Sequence, residues 1–489
     1  MTFLLSSGNI EKMNMEQKQK VSVYLRNQLS QAENRLSALT VDRERKPLLK
    51  RSAALVLEKY VRNFSQYGKE PRWVAIPGLR GVGKTTLLAQ IYTGLNCSYN
   101  HKLYISLDEA KRVLGVSLND ILVAYEEVLG IPFENLKSPI YLFIDEVQYE
   151  ENWGLVLKSI YDRSKNIFIF CTGSSALSLQ FNPDVSRRLV LEKLYPMSFT
   201  EYMLLKDRKY QISGLGSAIK NALFNCDSAK RLYETLKSLE NGISRYWVNV
   251  NRFEVDNYLK YGTLPFTLQY SEEPLIYSQV EQTLSNIISR DIPQMSKFDS
   301  ATLSKMNQVL YSVASSSITS LTSLAKIFKM SISTLLNIFE VFEKSEVLLR
   351  IYPHGSHFGQ VKKPSKYLFV SSAYRNMFFN LIGSIYSYDN YKGFLLEDIV
   401  GLYLYRILGL RFGVSLTYDS SEGGADFIVT LEGKKIVIET GYGEKNFNQV
   451  ESTLNRIKGT YGMSVSSSEL SIDENKQCVS VPINYFLLM

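Results

Sequence analysis

Two short stretches carry residue types whose spacing suits phosphate chemistry. In the first, Gly78-Leu79-Arg80-Gly81-Val82-Gly83-Lys84-Thr85-Thr86 fits the pattern G-x-x-x-x-G-K-[ST] and follows the apolar run Trp73–Ile76. Glycines let a loop wrap closely enough for its N–H groups to point at phosphate oxygens, and the helix that begins there adds the positive end of its dipole. The expected phosphate contacts are therefore Gly78, Arg80, Gly81, Val82, Gly83, Lys84, Thr85 and Thr86. Lys84 would reach the β- and γ-phosphates and Thr85 would coordinate Mg²⁺. In the second stretch, Pro139-Ile-Tyr-Leu-Phe-Ile runs into Asp145-Glu146-Val-Gln148. A buried strand ending in two carboxylates presents them at the C-terminal edge of a sheet, beside such a loop. Asp145 would hold Mg²⁺ through water, and Glu146 would act as the base that orients an attacking water. An apolar strand ending in Asp-Glu is common by itself. Downstream of a matching loop, with another strand between, it specifies a nucleoside-triphosphate site, with ATP and Mg²⁺ as the expected ligands.

Two further places are candidates. A third apolar run ends in Cys171-Thr172-Gly173-Ser174, where Thr172 or Ser174 would hydrogen-bond the γ-phosphate or the lytic water, or simply end a strand. Ser186-Arg187-Arg188 comes next. An arginine there would serve a neighbouring subunit's nucleotide by stabilising charge on the γ-phosphoryl oxygens, or form a surface pair and nothing more.

These groups need an α/β scaffold. Strand-sized runs at Trp73–Ile76, Leu103–Leu107, Ile140–Ile144, Ile167–Cys171 and Leu189–Leu191 alternate with helical stretches such as Trp153–Asp162, which predicts a parallel sheet covered on both faces. Five segments are expected: a basic helical arm over 1–70, broken near Pro47; the phosphate-binding core over 71–205; a helical subdomain over 206–300; a winged helix over 301–375; and a small α/β domain over 376–489.

Composition narrows the class. With 489 residues, 45% hydrophobic and 21% charged, the chain is an ordinary packed protein of several domains. No apolar run reaches the roughly 20 residues a bilayer needs, and the N-terminus lacks the basic start of a signal peptide. The four scattered cysteines indicate neither a disulfide framework nor a zinc finger, and a cytoplasmic location without membrane partners is expected. Of the net charge of +8, residues 1–72 hold 14 Lys/Arg against 7 Asp/Glu, so the surplus is concentrated at the N-terminal end. That segment would bind a nucleic-acid backbone or be a solvated helix face.

Taken in order, GLRGVGKTTLL, LYISLDE, IYLFIDEVQ, NWGLVLKSIYD, IFCTGSSALSL and SRRLVLEKLYPMSFTEYM resemble the AAA-type ATPases of prokaryotes related to the archaeal-ATPase branch of signal-transducing P-loop ATPases. Tyr261-Gly262-Thr263-Leu264-Pro265 and Ser289-Arg290-Asp291-Ile292 are similar to later motifs of that family, and Arg188 matches its usual arginine. The resemblance spans about residues 45–445. It implies a five-stranded core with an extra strand between the two phosphate motifs, glutamate-assisted ATP hydrolysis, a winged helix, and a C-terminal restriction-endonuclease-like domain.

That last domain would carry a PD-(D/E)XK-like set of a helix Glu, a strand Asp and a Glu-x-Lys, matched here by Glu397, Asp426 and Glu439. Glycine stands at 441 where lysine is expected, with Lys445 the nearest substitute. Loss of that lysine favours an inactive fold kept for nucleic-acid or protein contact over an active nuclease. In the winged helix the third helix, Ile332 to Lys344, offers only Asn337 before its final lysine, with Glu340 and Glu343 repelling phosphate. Packing is its expected role, with Lys362, Lys363 and Lys366 of the wing left to touch a backbone; His354 and His357 are read as ordinary polar loop residues. The functional expectation is an ATP-driven switch or nucleic-acid-directed ATPase, homo-oligomeric if Arg188 acts across an interface. The alternatives are a regulatory module signalling to a protein partner and an ATP-controlled nuclease acting on foreign DNA.

Overall fold

A computed structural model describes residues 14–174, 183–316, 318, 320–356, 360, 363–381, 387–408, 414–443 and 446–489. His357, Lys362 and Lys445 lie outside the described residues. The chain divides into two compact units, Met1–Gly78 with Gly83–Leu194, and Leu79–Val82 with Tyr195–Met489.

The first unit is built on a parallel sheet of β1 (Trp73–Pro77), β2 (Lys102–Ser106), β3 (Ile140–Asp145), β4 (Ile167–Gly173) and β5 (Val190–Leu191), in the order β2-β3-β4-β1-β5. Every residue of β1, β3 and β4 is buried, as expected of parallel strands covered on both faces. β4 separates the strand that feeds the glycine loop from the strand that ends in Asp145-Glu146. The registers bring Pro77 level with Gly173 and Ser106 level with Asp145, so the chemical ends of the strands share one edge.

Two helices precede the sheet, Met15–Ala38 and Ser52–Tyr67. The first is opened by a capping box between Asn14 and Gln17, which satisfies backbone donors that a helix start leaves unpaired. Its Val21, Leu25 and Leu29 are buried in the same core as Trp73, Leu103 and Ile105. The N-terminal segment is thus packed into the first unit. Its charges are held in ion pairs within the segment, Lys20 with Glu16 at 2.6 Å and Lys50 with Glu58 at 2.5 Å, and in one that reaches beyond it, Arg35 with Glu109 at 3.1 Å.

In the second unit, helices from Phe199–Asp207 to Phe253–Lys260 share one apolar core with the C-terminal sheet, including Phe199, Trp247, Tyr258, Tyr403, Ile436 and Phe486. Buried polar groups stitch the two segments: Tyr403 OH accepts from Phe199 N–H at 2.8 Å, and Trp247 Nε1 donates to Asn484 O at 3.0 Å. The segments separated in sequence at 206–300 and 376–489 therefore bury each other's apolar faces. Helices Ser300–Ser315, Leu321–Phe328 and Ile332–Lys344 lead into an antiparallel pair, β6 (Leu348–Pro353) and β7 (Lys366–Phe369). β6 also pairs in parallel with β8 (Val414–Tyr418). That contact joins the pair to β9 (Phe427–Leu431), β10 (Lys434–Thr440), β11 (Tyr461–Ser466), β12 (Ser471–Asp473) and β13 (Cys478–Pro482) in a sheet of order β12-β13-β11-β10-β9-β8-β6-β7.

A buried strut crosses this unit. Arg375, 0% exposed, donates to both oxygens of Asp398 at 2.7 and 2.9 Å and to the carbonyls of Val313 and Ala314 at the end of helix Ser300–Ser315. Among the described residues, no helix is long and apolar enough to cross a membrane.

Candidate nucleotide-binding site

The glycine loop joins β1 to helix Lys84–Gly94, and its shape follows from two glycines. Gly81 and Gly83 take φ of +88° and +93°, in the left-handed region where a Cβ is costly. At Gly81 a Cβ would also lie 2.8 Å from the Phe266 ring. Gly83 caps the helix, so Lys84, Thr85 and Thr86 form its first turn, where backbone N–H groups have no intrahelical partner. Val82 is buried. Lys84 is buried too, and its Nζ donates back to Gly78 O at 2.9 Å, which holds the ammonium over the loop. Arg80 NH1 donates to Asp291 Oδ1 at 2.8 Å, and Asp291 closes a π-turn at Ile287–Asp291.

The carboxylates sit beside the start of that helix. Thr85 Oγ1 donates to Asp145 Oδ2 at 2.9 Å, and Tyr104 OH donates to the same oxygen at 2.9 Å. Thr172 Oγ1 donates to Asp145 Oδ1. Burial, then the neighbouring Glu146 charge, pushes the Asp145 carboxyl above its ordinary value, and the three hydroxyls oppose that rise. Thr85 and Asp145 together offer oxygen donors of the kind Mg²⁺ takes alongside substrate phosphates. The residues present fit that ion.

Glu146 follows at φ +56°, a conformation unusual for a residue with a side chain. Its N–H donates to Thr172 Oγ1 at 3.2 Å, and its carboxylate accepts from Gln148 Nε2. Thr172 thus bonds the Asp145 carboxylate and the Glu146 backbone. Ser174 N–H donates to Gln148 Oε1 at 3.4 Å, which makes Gln148 a bridge between the ends of β3 and β4. Arg188 Nε donates to Asp162 at 2.7 Å, within the same unit, and Arg187 is exposed. Sequence patterns do not single out Tyr104 and Gln148; Tyr104 looks like any aromatic strand residue, while Gln148 has a legible position two residues after Glu146.

The second set of carboxylates also converges. Glu397 projects from helix Tyr388–Leu408, Asp426 precedes β9 and Glu439 lies on β10. Asp426 N–H donates to Glu439 Oε2 at 3.3 Å. Between Glu397 and Asp426 stands Lys366, at the start of β7, with Nζ 2.6 Å from Glu397 Oε1 and 2.9 Å from Asp426 Oδ1. The sequence places Lys366 in an exposed wing; its side chain is instead 4% exposed. Burial works against its charge, but Asp426 and Glu397 outweigh this and hold its pKa above the ordinary lysine value. Gly441, at the expected lysine position, only continues the sheet, its N–H donating to Val465 O at 3.1 Å. His354 Nδ1 lies 3.1 Å from Thr417 Oγ1 and Lys363 Nζ donates to Ser420 Oγ at 2.9 Å, while Asn337 is exposed on its helix.

Residues 70–203 match the family described as an AAA domain, and residues 252–382 match a domain of unknown function (DUF8612). The uncharacterized protein MJ1637 of Methanocaldococcus jannaschii is 35% identical over 438 residues, which is 88% of this chain and 87% of that one. An uncharacterized Haemophilus influenzae protein is 25% identical over 245 residues, 49% of this chain and 51% of its own length. Among solved structures, the Walker-type ATPase PABY2304 of Pyrococcus abyssi aligns with a TM-score of 0.39 at 14% identity, covering 70% of this chain and 98% of that one. The Aeropyrum pernix ORC1 protein in complex with DNA aligns at 0.32 and 11% identity, over 68% of this chain and 92% of its own.

Proposed function

We infer that this chain, which belongs to the same family as MJ1637 of Methanocaldococcus jannaschii, binds Mg-ATP through its AAA domain and hydrolyses it as a molecular switch. The observation that carries this reading is the buried cluster in which Thr85 Oγ1 lies 2.9 Å from Asp145 Oδ2 and Thr172 ties Asp145 to the Glu146 backbone.

The chain's own groups divide the work. N–H groups of Gly81, Gly83, Lys84, Thr85 and Thr86 donate to phosphate oxygens, and Lys84 exchanges Gly78 O for the β- and γ-phosphates. Thr85 and Asp145 would hold Mg²⁺, which when bound supplies positive charge against the phosphate oxygens. Glu146 accepts a proton from water as the water oxygen bonds to the γ-phosphorus, and the bond to the ADP oxygen breaks. Gln148 holds the Glu146 carboxylate for that transfer. Arg188 would serve a neighbouring subunit only after releasing Asp162.

Three helices followed by the β6–β7 pair support a winged helix over 301–375. Lys344 on its third helix is paired with Glu340 at 2.6 Å, and Glu343 faces Arg350 at 3.6 Å, which leaves that face poor in free cations for base edges. This favours a protein partner over DNA as the recipient of the signal, in the cytoplasm.

The test is steady-state ATP hydrolysis with and without double-stranded DNA. Lys84→Ala should lose nucleotide binding. Glu146→Gln should bind ATP but turn it over about 10²–10⁴-fold more slowly. Wild-type turnover by Glu146→Gln would refute the assignment of the base. Slow hydrolysis indifferent to DNA supports the switch; strong stimulation by DNA overturns it in favour of a nucleic-acid-directed ATPase.

A further inference from the structure

The carboxylates Glu397, Asp426 and Glu439 match a constellation whose chemistry depends on a divalent cation, so the first question is whether their surroundings fit one. Lys366 decides it. An ammonium has three N–H donors and no acceptor. Those of Lys366 have three protein acceptors within reach: Glu397 Oε1 at 2.6 Å, Asp426 Oδ1 at 2.9 Å and Asp426 O at 3.3 Å. The second Asp426 oxygen, Oδ2, accepts from Thr440 N–H at 2.9 Å and Thr440 Oγ1 at 2.7 Å. Both oxygens of the central carboxylate are therefore committed to protein donors. The Lys366 Nζ also lies 5.6 Å from the centre of the Tyr418 ring and 5.4 Å from that of Phe427. Aromatic faces attract a monovalent cation but supply none of the oxygen ligands that Mg²⁺ requires in octahedral array.

We propose that Lys366 is a built-in cation that takes the place of the divalent metal, so that this cluster binds no Mg²⁺ and cleaves no nucleic acid. A dication among these oxygens would sit against a buried positive charge, and Lys366 has nowhere to retreat on a strand whose other residues, Tyr367, Leu368 and Phe369, are also buried. An activating lysine would instead keep a donor for the attacking water, whereas all three donors here have protein partners. The cluster joins β7, the Tyr388–Leu408 helix and the start of β9 by charge, the role a structural metal plays elsewhere.

The test uses full-length protein without nucleotide, so that its outcome is independent of ATP binding at Lys84 and hydrolysis by Glu146. Mn²⁺ binding is followed by electron paramagnetic resonance, and nicking of supercoiled plasmid is assayed in millimolar Mn²⁺ or Mg²⁺. Wild type and Asp426→Asn should bind Mn²⁺ equally and leave the plasmid intact. Lys366→Met should melt at lower temperature, gain a Mn²⁺ site, and lose that site again in Lys366→Met/Asp426→Asn. Extra Mn²⁺ in wild type relative to Asp426→Asn, or nicking that Asp426→Asn abolishes, overturns the proposal and makes Lys366 the activating lysine of a working nuclease. A folded Lys366→Met that gains no site overturns it too. If Lys366→Met does not fold, the comparison of wild type with Asp426→Asn still decides.

Discussion

Replacing Thr172 by valine removes one hydroxyl and little volume, and it should disturb both the Asp145 carboxylate and the Glu146 backbone of the candidate nucleotide site at once. Thr172 is 0% exposed; its Oγ1 donates to Asp145 Oδ1 and accepts from Glu146 N–H at 3.2 Å. A bond to an ionised partner contributes about 1.5–3 kcal/mol and a neutral one about 0.5–1.5 kcal/mol. Together the change should cost about 2–4 kcal/mol of stability in the first unit, because two buried polar groups lose their partner. The kinetic effect follows from Glu146, whose φ of +56° carries strain that its neighbours must hold. Once the tether is gone, relaxation by about 1 Å at the base should lower kcat on the order of 100-fold. Affinity for nucleotide measured without Mg²⁺ should stay close to wild type, since Lys84 and the N–H groups of the glycine loop are untouched. Urea unfolding read by tryptophan fluorescence reports the stability, because Trp73 and Trp153 lie in the same core. Steady-state hydrolysis and equilibrium nucleotide binding separate kcat from affinity. Thr172→Ser keeps the hydroxyl and should recover most of the loss. A Thr172→Val protein with wild-type unfolding and wild-type kcat would refute the claim that this hydroxyl positions the carboxylates.

Two predictions concern the second unit. Arg375→Met strands Asp398 in the interior and should destabilise by about 3–5 kcal/mol in urea unfolding, while adding Asp398→Leu should restore most of that; an unimpaired single variant refutes the strut. Burial raises the Glu343 carboxyl from 4.5 to about 7 against the pull of Arg350. Its folded form therefore takes up the proton first, and its contribution is fully present below pH 4.5 and lost as pH rises through about 7. Glu343→Gln, which carries no charge, should raise the melting temperature near pH 8 and leave it unchanged near pH 4.5; thermal melts at both pH values check this.

The parts of the candidate nucleotide site stand out in the sequence because they are local. Gly78 to Thr86 and the run into Asp145-Glu146 each combine an apolar strand with its chemical residues inside one short segment. Thr172 stands out as well, but its strand-end position suggests the phosphate as its partner, and only the placement of β4 between β1 and β3 shows the carboxylates closer at hand. Lys366 is hidden for the opposite reason. Its partners, Glu397 and Asp426, are distant in the chain, and a search for lysine beside Glu439 looks on the wrong strand. One local signal is present: a single lysine opening the apolar run Tyr367-Leu368-Phe369 requires a partner if that strand is buried. The N-terminal charge, read from its sum, is blind to an ion pair with a distant residue such as Arg35 with Glu109 at 3.1 Å.

The pairing of β6 with both β7 and β8 has a consequence for the order of events on the ribosome. The matched domain at 252–382 contains β6 and β7 but ends before β8, Glu397 and Asp426. While only that portion has emerged, β6 presents an unsatisfied backbone edge and Lys366 faces no counter-charge, the condition that invites edge-to-edge association. A chain cut at that boundary should therefore be prone to self-association, whereas one carried through β13 closes the edge and neutralises the lysine. The strand and the counter-charges that β6 and Lys366 meet in the folded protein thus lie past the boundary that sequence similarity draws.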